Sequence, residues 1–323
     1  MLSIHLNNDN VVLRGSPEDS PGTIVSGTVI YRPSKPTKVK QIILKLHGTL
    51  SIDNNQDLYG SEKTVIRDKL LLLDSAPHSL HQLGTQEHRF DFNLPLSGDL
   101  PESVDLPHGK ISYVVTAIVI RPFPHTNLKH SQELKLQRVC SYETTARLKT
   151  SARGTWCRSV HYCVSMAKSV YLPGEQLKMS LDFLSVNDTT RADKVTLSLT
   201  ETIVYKHPIT LLPSVETVKL SQSTRTLQTD QAEIMADGMD LDIPANTKLH
   251  CQTGFISVTH SIHIKLKFHE HHGKRGNVEF ELPVIVQSAE QREVANALPS
   301  YDDAVAMWCE PPPAYQSRAL VCH

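Results

Sequence analysis

Close to its end the chain runs Glu310-Pro311-Pro312-Pro313-Ala314-Tyr315. Consecutive prolines hold φ near about −65° and remove backbone donors, so this stretch fits neither a helix interior nor a central strand. It favours the polyproline II helix, whose ridges of rings exist before a partner arrives. Aromatic-lined grooves of the WW kind read that shape. Tyr315 adds a flat apolar body with a hydroxyl tip. Pro312, Pro313 and Tyr315 are therefore candidate WW-domain-binding residues. Leu298-Pro299-Ser300-Tyr301 repeats the pattern with leucine in the first position, which makes Leu298, Pro299 and Tyr301 a second candidate. Fully extended at ~3.1 Å per residue, the two tyrosines stand up to about 43 Å apart. Two WW domains could then engage at once, and linkage would raise avidity. Asp302 and Asp303 give Ser300 an acidic context that suits phosphorylation, which would add charge beside Tyr301.

Other constellations weigh less. The 17 histidines invite a metal reading. His269-Glu270-His271-His272 lacks the i, i+4 spacing of a helical zinc site. It runs into Gly273-Lys274-Arg275-Gly276, so it reads as a basic hairpin turn that could touch a membrane surface. Cys157, His161 and Cys163 share one face of an expected single strand. There the two cysteines would lie about 20 Å apart, too far for one zinc or a disulfide. His260 falls on an apolar face and reads as a hydrogen-bonded core residue. Leu70-Leu71-Leu72-Leu73-Asp74 fits a clathrin-box pattern, yet a continuous apolar run reads first as a buried strand. No G-x-S-x-G, Walker A loop or G-x-G-x-x-G is present. The expectation is a binding protein, not an enzyme, with no catalytic residue, metal or cofactor.

The elements that must carry these residues have a period of two. Phe90, Phe92 and Leu94 alternate with polar neighbours; so do Leu177, Met179, Leu181 and Phe183. The longest run is Ile256, Val258, His260, Ile262, Ile264, Leu266, Phe268. Successive strand side chains point to opposite faces, so each run has one dry face and one wet face. Turn-forming clusters separate about fourteen to sixteen candidate strands, with no convincing long helix before residue 288. The expected fold is all-β: two tandem immunoglobulin-like β-sandwiches and a short flexible C-terminal tail. A weak repeat agrees. Ser20-Pro21-Gly22 opens one strand and Leu172-Pro173-Gly174 another, and each is followed by a second alternating strand, Ile42-Leu44-Leu46 or Val195-Leu197-Leu199. The expected domains are 1–150, 154–287 and a tail over 288–323, with a small, polar, flexible seam from Lys149 to Gly154.

A chain of 323 residues can bury two cores. With a net charge of −1, nothing argues for nucleic acid or an acidic membrane as the main partner, and no nucleic-acid partner is expected. The six cysteines form no C-x-x-C pair and suit a reducing cytosol. No run of 18 apolar residues occurs, and the N-terminus lacks a signal-peptide pattern.

In this order the segments resemble the alpha-arrestins, the arrestin-related trafficking adaptors. The carriers in the first half are Ser20-Pro21-Gly22, Ser26-Gly27-Thr28-Val29, Ile43 to Gly48, Phe90 to Pro95, Leu100 to Ser103 and Ile111 to Val115. In the second half they are Tyr171 to Glu175 and Ile256 to His260, followed by the two tyrosine motifs. The resemblance implies arrestin-type sandwiches and no catalysis. It implies a tail that recruits a HECT-type ubiquitin ligase through WW domains. The cargo implied is the cytosolic segments of membrane transporters or receptors, which become ubiquitinated, endocytosed and sorted. It places the protein in the cytoplasm, recruited to plasma membrane and endosomes, with ubiquitin as a possible covalent modifier. The alternative is an arrestin-fold, retromer-like sorting or signalling scaffold that works without a ligase.

Overall fold

The computed structural model describes residues 1–53, 61–74, 80–139, 148–186, 190–227, 233–270 and 275–296. Among these are 21 strands and one helix. In the first half, β1 (Leu2–Leu6), β3 (Thr23–Tyr31) and β8 (His88–Leu96) form one sheet. The opposing sheet is ordered β2 (Asn10–Arg14), β11 (Leu128–Val139), β10 (Gly109–Ile120), β5 (Gln41–Ile52) and β6 (Ser61–Leu73), with β9 (Val104–Leu106) beside β10. A short pair, β4 (Thr37–Val39) and β7 (His81–Leu83), stands apart.

The second half repeats the plan. One sheet is β12 (Ser151–Trp156), β13 (Val160–Met166), β15 (Gln176–Ser185) and β18 (Glu233–Asp242). The other is β14 (Val170–Tyr171), β21 (Arg275–Val286), β20 (Ile256–Glu270), β16 (Thr190–Lys206) and β17 (Pro213–Thr226), with β19 (Cys251–Gln252) beside β20. In each half a short early strand pairs parallel with the last strand: β2 with β11, and β14 with β21. The 21 strands exceed the fourteen to sixteen expected from sequence; five of them, β4, β7, β9, β14 and β19, are only two or three residues long. Such pieces are too short to show a period.

The Pro-Gly turns work as their chemistry requires. Gly22 and Gly174 have φ of 84° and 82°, a region closed to most side chains. At Gly22 a Cβ would also lie 2.2 Å from the Leu96 carbonyl oxygen. The alternating residues point inward. Ile42, Leu44 and Leu46 are buried on β5, as are Val195, Leu197 and Leu199 on β16.

Three segments differ from expectation. Ser151 to Gly154, read as flexible seam, belong to β12 and pair with Tyr162 to Ser165; buried Ala152 gives this stretch an apolar contact that composition did not reveal. Cys157 does not share a strand with His161 and Cys163. It sits in the β12–β13 turn, where Cys157 and Arg158 take φ of 48° and 59° and the Ser159 N–H donates to the Trp156 carbonyl at 2.9 Å. Such mirror-image turns normally carry Asn-Gly, so Cys-Arg hid this one. Leu70 to Leu73 do lie in a strand, paired with β5, but at the sheet edge with Leu71 exposed.

Candidate functional site

The two cores meet along one strand pair. On β20, Ile262, Ile264, Leu266 and Phe268 pack in the second core, whereas Ile256 and Val258 pack in the first. On β16, Val195, Leu197 and Leu199 belong to the second core and Ile203 and Tyr205 to the first. Glu201 and His260 are cross-strand partners at the changeover. Both are buried, and the His260 Nε2 lies 3.4 Å from a Glu201 carboxylate oxygen. The Lys248 ammonium and backbone N–H donate to the same carboxylate at 2.7 and 3.1 Å. Burial pushes the Glu201 carboxyl up, but the Lys248 bonds and charge, helped by His260, outweigh it and hold it below the ordinary range. Burial also pushes the His260 imidazole down, against the pull of Glu201, which keeps it neutral near pH 7. Its Nδ1 has no partner among the described residues. The core reading of His260 was therefore right in place and half satisfied in bonding.

A second polar contact closes the seam from the other side. Glu102 follows β8 and is 7% exposed. It accepts from the backbone N–H of Arg138 on β11 and of Gln252 on β19, both at 3.4 Å. Burial pushes its carboxyl up to about 7, against the opposing effect of those amides and the Arg138 charge. The Arg138 guanidinium donates to the carbonyls of Gly15, Gly98 and Leu100 at 2.8, 2.6 and 2.9 Å. Gly109 permits the close approach of the two halves: a Cβ there would lie 2.7 Å from Ile256 Cδ1 and 2.9 Å from Tyr205 Cδ1.

Beside this seam the β16–β17 turn projects an apolar tip. Ile209, Leu211 and Leu212 are 81%, 60% and 69% exposed. The loop is nonetheless ordered by its own bonds. The His207 Nδ1 accepts from the Ile209 and Thr210 N–H groups at 3.2 and 3.0 Å, and His207 N–H donates to the Leu212 carbonyl at 3.0 Å. Leu211 is held at φ 58°. A pre-ordered loop that keeps three large aliphatic side chains in water has the form of a binding element.

The WW-binding candidates Leu298, Pro299, Tyr301, Pro312, Pro313 and Tyr315 lie outside the described residues. What precedes them is described. Helix α1 (Ala289–Asn296) starts with a reciprocal cap: Gln291 N–H donates to Ser288 Oγ at 3.1 Å, and Ser288 N–H to Gln291 Oε1 at 2.9 Å. Arg14 of the first half donates to the Val294 carbonyl at 3.0 Å. Arg292 reaches Glu175 of the second half at 3.8 Å. The segment read from sequence as the start of a free tail is thus fastened across the seam. Of the other sequence candidates, His269 and Glu270 end β20 while His271 and His272 lie outside the described residues. Among the described residues, no group of three His, Cys, Asp or Glu converges as a metal site. The Glu201–His260 layer and the apolar tip were missed from sequence; the lone ionisable residue in the long apolar period of β20 was the available signal.

Comparison with known proteins gives the ancestry. The family model described as "Arrestin (or S-antigen), N-terminal domain" matches residues 11–143, and "Arrestin (or S-antigen), C-terminal domain" matches residues 156–291. An arrestin domain-containing protein of Schizosaccharomyces pombe is 27% identical over 204 residues, covering 59% of this chain and 34% of its own length. The probable HECT-type ubiquitin ligase-interacting protein creD of Aspergillus fumigatus is 21% identical over 248 residues, covering 73% of this chain and 41% of its own. The HECT-type ubiquitin ligase-interacting protein apyA of Emericella nidulans is 21% identical over 320 residues, covering 88% of this chain and 83% of its own. This chain spans only about a third of the length of the first of these relatives.

Proposed function

Because this chain belongs to the alpha-arrestin family, we propose that it is a non-enzymatic adaptor linking membrane transporters or receptors to a HECT-type ubiquitin ligase. The observation that carries this reading is the order of parts. Two arrestin sandwiches are followed by a helix fastened to both, and only then by the two tyrosine motifs. Pro312, Pro313 and Tyr315 hold a WW domain of the ligase, and Leu298, Pro299 and Tyr301 add a second foothold. The names of creD and apyA, which state an interaction with HECT-type ligases, support the choice of partner. Cytosolic cargo segments dock at the seam, where the apolar tip of Ile209, Leu211 and Leu212 stands ready. Helix α1 fixes the root of the ligase-binding tail beside that same seam. Ligase and cargo lysine are then held at high effective concentration, which makes ubiquitin transfer nearly intramolecular. The protein acts in the cytoplasm and at the plasma membrane and endosomes, where tagged cargo is internalised and sorted.

The test is affinity purification of the full chain beside Tyr315→Ala. Loss of most WW-domain capture, with a further drop in the Tyr301→Ala double variant, is expected. Unchanged capture after Tyr315→Ala would sink the reading.

A further inference from the structure

The outer face of the sheet β6-β5-β10-β11 carries charge that its own neighbours do not balance. Lys45 on β5 stands directly opposite Lys69 on β6, and His47 opposite Arg67. Like charges placed directly opposite on an antiparallel pair destabilise it. Among the described residues, neither lysine side chain has an acidic partner, nor has Arg67. The nearest acid along these rows is Glu133, two strands from His47 across Val114; Asp68 is on β6 between the two cations and Asp74 accepts from Gln41 at 2.9 Å. The second sandwich handles the same face differently. There Lys194 also faces Lys267, but Glu279 pairs with Lys265 and Glu281 lies 3.1 Å from His263.

One row toward the distal end, Leu71, Ile43 and Ile118 are successive cross-strand neighbours and Lys129 ends the row; Ile43 and Ile118 are buried, and Leu71 is the apolar side chain of the row that reaches solvent. Leu71 is 43% exposed. Beyond this row the β10–β11 hairpin ends in Pro122-Phe123-Pro124, and Phe123 is 96% exposed. Exposed Lys40, whose N–H donates to the Ile120 carbonyl at 2.8 Å, flanks the same end. An exposed aromatic ring at the hairpin tip, on a sheet whose outer face carries lysines unpaired among the described residues, matches a surface that is negative at its plane and apolar just beneath.

We propose that this face and the Phe123 tip dock on an anionic phospholipid bilayer. The lysine stems lie along the sheet and deliver their ammonium groups to the lipid headgroups, while Phe123 enters the boundary between headgroups and acyl chains. A fluid layer closes around a projecting ring; a protein partner would need a pocket already shaped for it.

The test is co-sedimentation of the full chain with vesicles of phosphatidylcholine alone and of phosphatidylcholine with phosphatidylserine. Binding to the anionic vesicles only, weakened by added salt, is expected. Each neutralised cation lowers partitioning about fivefold, so Lys45→Gln with Lys69→Gln lowers it about thirtyfold. Phe123→Ser lowers it independently. All three positions are exposed, so the melting temperature serves as a folding control. Equal binding to both vesicle types, or unchanged partitioning in the lysine double variant, overturns the proposal. So does absent vesicle binding together with capture of a polyglutamate peptide that the double variant loses, which assigns the face to an acidic protein segment.

Discussion

Glu102 ties the two halves together and should make their union depend on pH. Its carboxyl is 7% exposed and held by two amide contacts of 3.4 Å each. Those bonds are long for N–H···O and compensate poorly for lost hydration. Burial therefore wins, and the carboxyl rises from 4.5 to about 7. That difference corresponds to roughly 3 kcal/mol between its ionised and protonated forms. A carboxyl raised in the folded state adds stability in its protonated form. The contribution is complete below about 4.5 and is lost as the pH rises through 7. Glu102→Gln keeps the shape, removes the ionisation and gives up one accepted bond worth about 1 kcal/mol. At pH 8 the variant should be about 2 kcal/mol more stable than the parent chain, and near pH 4.5, where only the lost bond counts, about 1 kcal/mol less stable. Urea titrations followed by far-ultraviolet circular dichroism at the two pH values measure this directly. His250 works in the opposite sense. Burial pushes it down to about 4, so its stabilisation is lost as pH falls from 6.5 toward that value. This background is shared by both proteins and cancels in their difference. If Glu102→Gln costs stability equally at pH 8 and pH 4.5, the carboxyl is not held in its protonated form by burial and the reasoning fails.

Other perturbations test the seam and the turns. Glu201→Leu strips partners from the Lys248 N–H and the His260 Nε2, and should cost about 2–5 kcal/mol in chemical denaturation. His260→Leu leaves Glu201 its two Lys248 bonds and joins the two cores, so its cost should stay within about 1 kcal/mol; equal costs for the two variants would contradict the arrangement. Gly98→Ala places a Cβ 1.9 Å from the Ser20 carbonyl oxygen. Backbone must move there, and a loss of roughly 2–4 kcal/mol in thermal or urea unfolding is expected. Arg158→Gly, at φ 59°, should stabilise the chain by about 0.5–1 kcal/mol, read as a raised melting temperature.

Sequence alone determined the fold class, the two repeated sandwiches and the candidate ligase motif. Period-two runs such as Leu177 to Phe183 name their buried face without any knowledge of neighbours, because strand side chains alternate in any sheet. Pro21-Gly22 and Pro173-Gly174 name turns because glycine alone takes those φ values at no steric cost. Polyproline geometry is likewise local, so Pro312 to Tyr315 can be read from the residues themselves. Only tertiary structure decided what each dry face packs against. The run from Ile256 to Phe268 looks uniform in sequence, yet Ile256 and Val258 serve one core and Ile262 to Phe268 the other. His260 marks the division through Glu201, 59 residues away along the chain. The facing of Lys45 and Lys69 depends on register across β5 and β6, and the joining of Glu102 to Gln252 on contact between sandwiches. Period reports a direction relative to the strand; partners are set by pairing and packing between distant segments, which no local pattern encodes.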